Sequence, residues 1–153
     1  MIGYTIETIP TGETSQINFT SCENVRSPPG AVEKESVPVD RLLAIYDYLA
    51  EWFDTDSFRG CGFINSFGEL GAVSPQVAET ARVHKQQFQD YVGHLVDEVG
   101  GTPDLAAQLA ILAEGAQTTA AISGQNSAAG QARRAAKTLI AVNTAPGADA
   151  AAL

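Results

Sequence analysis

The two histidines of this sequence, His84 and His94, are the side chains best suited to metal or acid–base chemistry. On a helix, Asp90, His94 and Glu98 share one face because they are spaced by four residues, and such a face can bind a divalent cation weakly. The same spacing is typical of a solvated charged face, which is the interpretation we favour, so we expect no metal site and no cofactor. His84 lies on an apolar stripe, which indicates either a core histidine or a contact to a ligand.

Nucleophilic chemistry has little support in the sequence. Cys61 follows Arg59 by two residues, and a neighbouring positive charge favours a thiolate, but a buried packing thiol is the simpler interpretation. Ser66 does not lie in a G-x-S-x-G turn, and Cys22 and Cys61 lack the C-x-x-C spacing of zinc or redox sites. We therefore expect no catalytic residue and no enzyme.

Helical periods dominate the segments that must position these side chains. Apolar residues recur at steps of three and four, and Ser-Pro or Thr-Pro pairs mark two helix starts. The predicted helices run from about Pro38 to Phe53, over a short segment ending at Gly71, from Pro75 to about Val99, from Pro103 to Gly124, and from Asn126 or Ser127 to near Asn143. The predicted fold class is all-α, a bundle of about five helices.

Composition divides the chain into three regions. Residues 1–35 are rich in Thr, Ser, Pro, Gly and acidic side chains and predict an irregular or weakly β N-terminal arm. Residues 36–144 carry the helical periods and form the predicted helical domain. Residues 145–153 are an alanine-rich tail that we expect to be disordered.

The charge balance argues against two classes of partner. Nine Lys and Arg stand against 18 Asp and Glu, a formal charge of −9, whereas proteins that bind nucleic acid cluster basic residues. No segment approaches the roughly 18 apolar residues of a membrane span, and the first residues lack the features of a signal peptide. We expect a cytoplasmic protein that binds neither a membrane nor, directly, nucleic acid.

Alanine is concentrated in the last two helices. Residues 101–153 contain 18 alanines and no aromatic residue. Narrow helices of this kind approach each other closely, and their leucines and isoleucines are too numerous for one stripe on a five-helix monomer. We therefore expect the helical hairpin to pair with a second copy in a homodimer.

Aromatic residues are concentrated in the middle of the chain, where nine of eleven lie between Tyr46 and Tyr91. Periodicity alone does not distinguish a solid aromatic core from helices that diverge around an apolar ligand pocket. In the second case, the polar candidates on the pocket wall are Asn65, Glu69, His84 and Gln117.

Four segments of the middle region follow one another in a recognisable order: Leu42 to Phe53, Phe58-Arg59-Gly60-Cys61-Gly62-Phe63-Ile64-Asn65, Glu69-Leu70-Gly71, and Arg82-Val83-His84-Lys85. This order resembles the C-terminal regulatory domain of the TetR family of bacterial transcriptional regulators, over about residues 36 to 143. The resemblance implies a small, largely apolar effector held by Phe53, Phe63, Phe67, His84, Phe88 and Tyr91. It also implies pairing of the last two helices near Leu109, Ala113, Ala116, Ala132, Ala136 and Leu139.

The resemblance stops at the N-terminal region. Members of this family begin with a helix-turn-helix that enters the major groove, and residues 1–40 predict no such element. The chain thus resembles a regulatory domain without its DNA reader, by truncation or frameshift, by an incorrect start codon, or as a natural relative that does not bind DNA. The alternative hypothesis is a helical interaction protein that binds no ligand and acts through homodimerisation or heterodimerisation.

Overall fold

A computed structural model describes residues 38–144 of the chain. Five helices follow in order: α1 (Pro38–Phe53), α2 (Gly62–Leu70), α3 (Pro75–Glu98), α4 (Pro103–Ser123) and α5 (Ser127–Asn143). This part of the chain contains no strand, so the predicted all-α class and the five predicted helices are confirmed. The predicted arm (1–35) and tail (145–153) lie outside the described residues.

The helix ends follow the local sequence. The Ser74 hydroxyl accepts a hydrogen bond from the Val77 amide at 3.4 Å, and the Thr102 hydroxyl accepts one from the Leu105 amide at 3.2 Å. A proline follows each of these caps, in the first turn where its missing N–H has no helical partner to lose. At the other end of α4, Gly124 takes a left-handed conformation (φ 67°) and turns the chain into α5.

Helix α1 is central to the bundle. It packs against α3, α4 and α5, while α4 and α5 pack against each other and α2 packs against α3. The Tyr46 hydroxyl of α1 donates to the Leu109 carbonyl of α4 at 2.8 Å inside the core, and burial raises the pKa of Tyr46. Among the described helices, none is long and apolar enough to cross a membrane.

Charged pairs on the surface join α1 to its neighbours. Arg133 of α5 donates to both carboxylate oxygens of Asp47, at 2.7 and 3.1 Å, and Arg41 pairs with Glu98 of α3. Exposed pairs of this kind stabilise a protein by only about 0–1 kcal/mol each. The bundle therefore depends on its apolar core, which includes Phe88, Val92, Leu95 and Val96 of α3, and α2 is attached to it at one side through α3.

Candidate ligand-binding site

An apolar pocket lies where α2 meets α3 and the second half of α4. Its volume is about 230 Å³, and it is partly open to solvent. The lining side chains come from three places in the chain: Cys61, Phe63, Ile64 and Phe67 from α2 and its start, Ala81, Arg82, His84, Lys85 and Phe88 from α3, and Glu114 and Gln117 from α4.

The loop before α2 fixes where that helix starts. Gly60 has a left-handed backbone (φ 84°), and a Cβ atom at this position would lie 3.0 Å from the Cβ of Ala121 in α4. The Asn65 amide nitrogen donates to the Arg59 carbonyl at 3.0 Å. Glycine fits both this conformation and this approach. The loop can therefore pass close to α4 and lead into the first turn of α2, where Phe63 lines the pocket.

Two rings form one wall of the pocket. The rings of Phe63 and His84 stack with centroids 3.8 Å apart and planes 10° from parallel. His84 shares its face of α3 with Ala81 and Phe88, three residues before it and four after it. At the surface, Phe67 is 47% exposed, so apolar aromatic surface reaches from the inner wall to the pocket mouth.

Gln117 is the polar group of the inner wall. It is 3% exposed, and it is the only buried polar or charged residue among residues 38–144. Its Nε2 donates to the Ala113 carbonyl at 3.5 Å, whereas its Oε1, like the Tyr91 hydroxyl in the main core, is buried without a hydrogen-bond partner among residues 38–144. Buried polar atoms are nearly always paired, so this oxygen is unusual.

The charged side chains that line the pocket are paired with each other or with neighbours. Lys85 of α3 forms an ion pair with Glu114 of α4, and Arg82 lies 3.5 Å from Glu79. Arg59 lies outside the lining, and its guanidinium donates to the Asp56 and Phe58 carbonyls at 2.9 and 2.6 Å. Each charged side chain of the lining, Arg82, Lys85 and Glu114, therefore has an oppositely charged partner.

The structure brings together four of the six residues that the resemblance implied for a pocket: Phe63, Phe67, His84 and Phe88 all line it. Phe53 does not, because its ring packs 4.5 Å from that of Phe58 inside the core. Tyr91 does not either, since it packs against the main core, where burial is the main cause that raises its pKa.

The polar candidates also separate. Gln117 and His84 line the pocket, whereas Asn65 holds the loop before α2 and Glu69 is exposed. Sequence reasoning did not select Glu114 or Lys85, although each lies one helical turn or less from a residue that it did select.

The residues implied for a dimer interface lie inside the single chain. Leu109, Ala113, Ala116, Ala132 and Ala136 are buried, and Leu139 is half-buried against the same core. They leave little or no surface for a second copy, because α4 and α5 use this stripe to pack on α1 and α3. The outward face of α4 carries other apolar residues, among them Ile111 (63% exposed) and Ile122 (84% exposed).

A second, wider groove lies between α3 and the start of α4. It has a volume of about 480 Å³ and is more open and more polar, with Asp90, His94 and Asp97 in its lining. Glu98 pairs with Arg41 of α1, and Asp90 accepts a hydrogen bond from the Gln86 amide at 2.8 Å. Within residues 38–144, no group of three or more His, Cys, Asp or Glu side chains is placed to hold a metal ion.

Comparisons of the chain with protein-family models, with curated proteins and with solved structures found no match.

Proposed function

We propose that this chain is a ligand-binding regulatory domain of the TetR kind, which holds a small, largely apolar effector in the pocket between α2, α3 and α4 and forms a homodimer. In this proposal the chain itself does not bind DNA. The observation that supports it most is the pocket, an apolar space with aromatic walls and one buried polar group.

The composition of the pocket favours ligand binding over incomplete packing. Small-molecule sites are concave and mostly apolar, with a few polar groups that orient the ligand. The mutually stacked rings of Phe63 and His84 and the ring of Phe88 supply aromatic surface, and Gln117 supplies a buried polar atom that has no partner among residues 38–144. Loose packing alone does not explain this amide, since a buried polar atom without a partner is unfavourable.

Thermal stability in the presence of small molecules tests the proposal. A ligand that binds only the folded chain stabilises it by about 2.7 kcal/mol at a concentration 100 times its Kd. We expect some compounds in a panel of neutral one- and two-ring molecules to raise the melting temperature. The substitution Ala81→Phe should remove the response by filling the pocket, whereas Ala141→Phe, at an exposed position of α5, should leave it intact.

Two results would count against ligand binding. One is a panel in which no compound changes the melting temperature of the wild-type chain. The other is an Ala81→Phe variant that responds as the wild type does, since the compounds would then bind elsewhere.

The outer face of the α4–α5 hairpin supports the dimer. Ile111, Gly115, Thr118 and Ile122 are exposed and follow one another at helical spacing along α4. Val142 of α5 is also exposed. An uncharged row of small and apolar residues along α4, with an exposed valine on the neighbouring helix, suits a second copy of the same hairpin, which would complete a four-helix interface.

The same face favours one alternative, a helical interaction protein that acts through dimerisation or heterodimerisation and binds no ligand. The two functions differ in the thermal measurement. If the alternative holds, no compound raises the melting temperature of the chain, although the chain still forms a dimer.

A further inference from the structure

The amide of Gln117 has a defined orientation in the pocket wall. A backbone carbonyl only accepts hydrogen bonds, so the group that faces the Ala113 carbonyl, at 3.5 Å, must be the Nε2 donor. The other end of the amide is then the carbonyl oxygen, Oε1. This oxygen is an acceptor without a donor among the described residues.

An unpaired buried acceptor destabilises the folded chain unless something else donates to it. Gln117 lines the pocket, so a molecule bound there is well placed to do so. In the structure Oε1 is covered by neighbouring atoms, so the proposed hydrogen bond requires a side-chain movement in the wall, as is common when ligands bind.

The other walls select for shape. Phe63 and His84 present nearly parallel rings, and Phe67 and Phe88 add aromatic surface. Aromatic groups pack well against such rings in offset-stacked or edge-to-face arrangements. The volume of about 230 Å³ exceeds that of an engineered cavity of about 150 Å³ that takes benzene, so the space suits one substituted ring or two fused rings.

The charges at the pocket favour a neutral molecule. Lys85 is paired with Glu114, and Arg82 with Glu79. An anion would have to compete with these carboxylates, and a cation would have to compete with the bases. No such competition opposes a neutral ligand.

We propose that the effector is a neutral, flat aromatic molecule with one hydroxyl or N–H group, and that Gln117 Oε1 accepts the hydrogen bond from that group. This inference rests on the proposed function, since it specifies the chemical class of the ligand for the same pocket. It assigns Gln117 as the residue that determines specificity, with the mutually stacked Phe63–His84 pair as the aromatic surface that the ligand contacts.

Calorimetric titration with matched compounds tests the inference. Indole and 1-methylindole differ in the N–H donor, and 2-naphthol and 2-methoxynaphthalene differ in the O–H donor. We expect the wild-type chain to bind the compound with the N–H or O–H group about five- to tenfold more tightly than its methylated partner. This difference is the effect of one neutral hydrogen bond. In Gln117→Met, which keeps the length of the side chain but has only a weak thioether acceptor, the two members of each pair should bind with nearly equal affinity.

The controls separate this inference from the proposed function. If Gln117→Met still prefers the compound with the donor, the preference reflects the size of the methyl group, and the role of Oε1 is overturned. Equal affinity of the wild type for the two members of each pair would overturn it as well. Tighter binding of 2-naphthoate than of 2-naphthol would overturn the neutral class. Failure of the wild type to bind any compound would overturn the proposed function as well, and circular dichroism checks that the variant is folded.

Discussion

Gln117 has a consequence for stability as well as for ligand choice. Because its Oε1 is buried with no donor among the described residues, Gln117→Met removes a desolvated acceptor and keeps a good helix former. We expect the free energy of unfolding to rise by about 1 kcal/mol in urea denaturation. Gln131→Met, at an exposed position, is the matched control and should change it little, whereas a clear loss of stability in Gln117→Met would mean that the amide contributes to the fold.

The hydroxyl group of Tyr46 should contribute to the stability of the folded chain. Tyr46→Phe removes the hydrogen bond to the Leu109 carbonyl and should destabilise the chain by about 0.5–1.5 kcal/mol at neutral pH. Equilibrium denaturation of both proteins measures this difference. A variant as stable as the wild type would show that the hydroxyl is not needed there.

The pH dependence of the same variant follows from the sign of the shift. Burial raises the pKa of Tyr46 in the folded chain, while the unfolded chain titrates near the usual value of about 10. The stability from the neutral phenol is therefore complete below pH about 10 and is lost as the pH rises above it. We expect wild-type stability to fall more steeply above pH about 10 than that of Tyr46→Phe, and parallel curves would contradict the assignment.

At the scale of the elements, the loop before α2 decides whether the pocket exists. Gly60→Ala adds a Cβ at a left-handed position, 3.0 Å from Ala121, and should destabilise the chain by about 1–2 kcal/mol. We expect the added methyl group to move α2 away from α4. The rise in melting temperature that a bound ligand causes should therefore be smaller in this variant. Denaturation and the thermal measurement check the two effects.

Gly68, within α2 itself, provides the matched glycine control. Its position is exposed, and a Cβ there would meet no atom within 4 Å, so Gly68→Ala should stabilise α2 by up to about 1 kcal/mol. Equal effects of the two glycine substitutions would contradict the role assigned to Gly60.

The helices could be predicted from sequence because their signals are local. Ser74-Pro75 and Thr102-Pro103 mark helix starts through hydrogen bonds within three residues, and Gly124 marks an end. The approach of Gly60 to Ala121 spans about sixty residues of chain, and no local pattern contains it. The position of α2, and with it the pocket, therefore needed the structure.

At the scale of the whole molecule, the outward face of the hairpin predicts self-association. The double substitution Ile111→Glu/Ile122→Glu places two charges on this face and should convert a dimer into a monomer. Val73→Glu/Val83→Glu changes two exposed valines elsewhere and should leave the dimer intact. Light scattering at micromolar concentration measures both, and a wild-type monomer under these conditions would refute the dimer.

The site was predictable only in part, for a reason that concerns the whole molecule. Phe53, Phe88 and Tyr91 look alike in sequence, as aromatic residues on apolar stripes, yet Phe88 lines the pocket while Phe53 and Tyr91 pack in the core. Helical period shows that a side chain faces inward and does not show whether another helix fills the space opposite. The same ambiguity placed Leu109 at an interface when it packs inside the chain.

The central claim is that a small molecule binds between Phe63, His84 and Gln117. A crystal structure of the chain with the panel compound that stabilises it most tests this directly. We expect the ring of the ligand to lie against the Phe63–His84 pair. Its donor should lie at hydrogen-bond distance, about 3 Å, from Gln117 Oε1. A ligand found instead in the groove beside His94, or on the outer face of the α4–α5 hairpin, would contradict it.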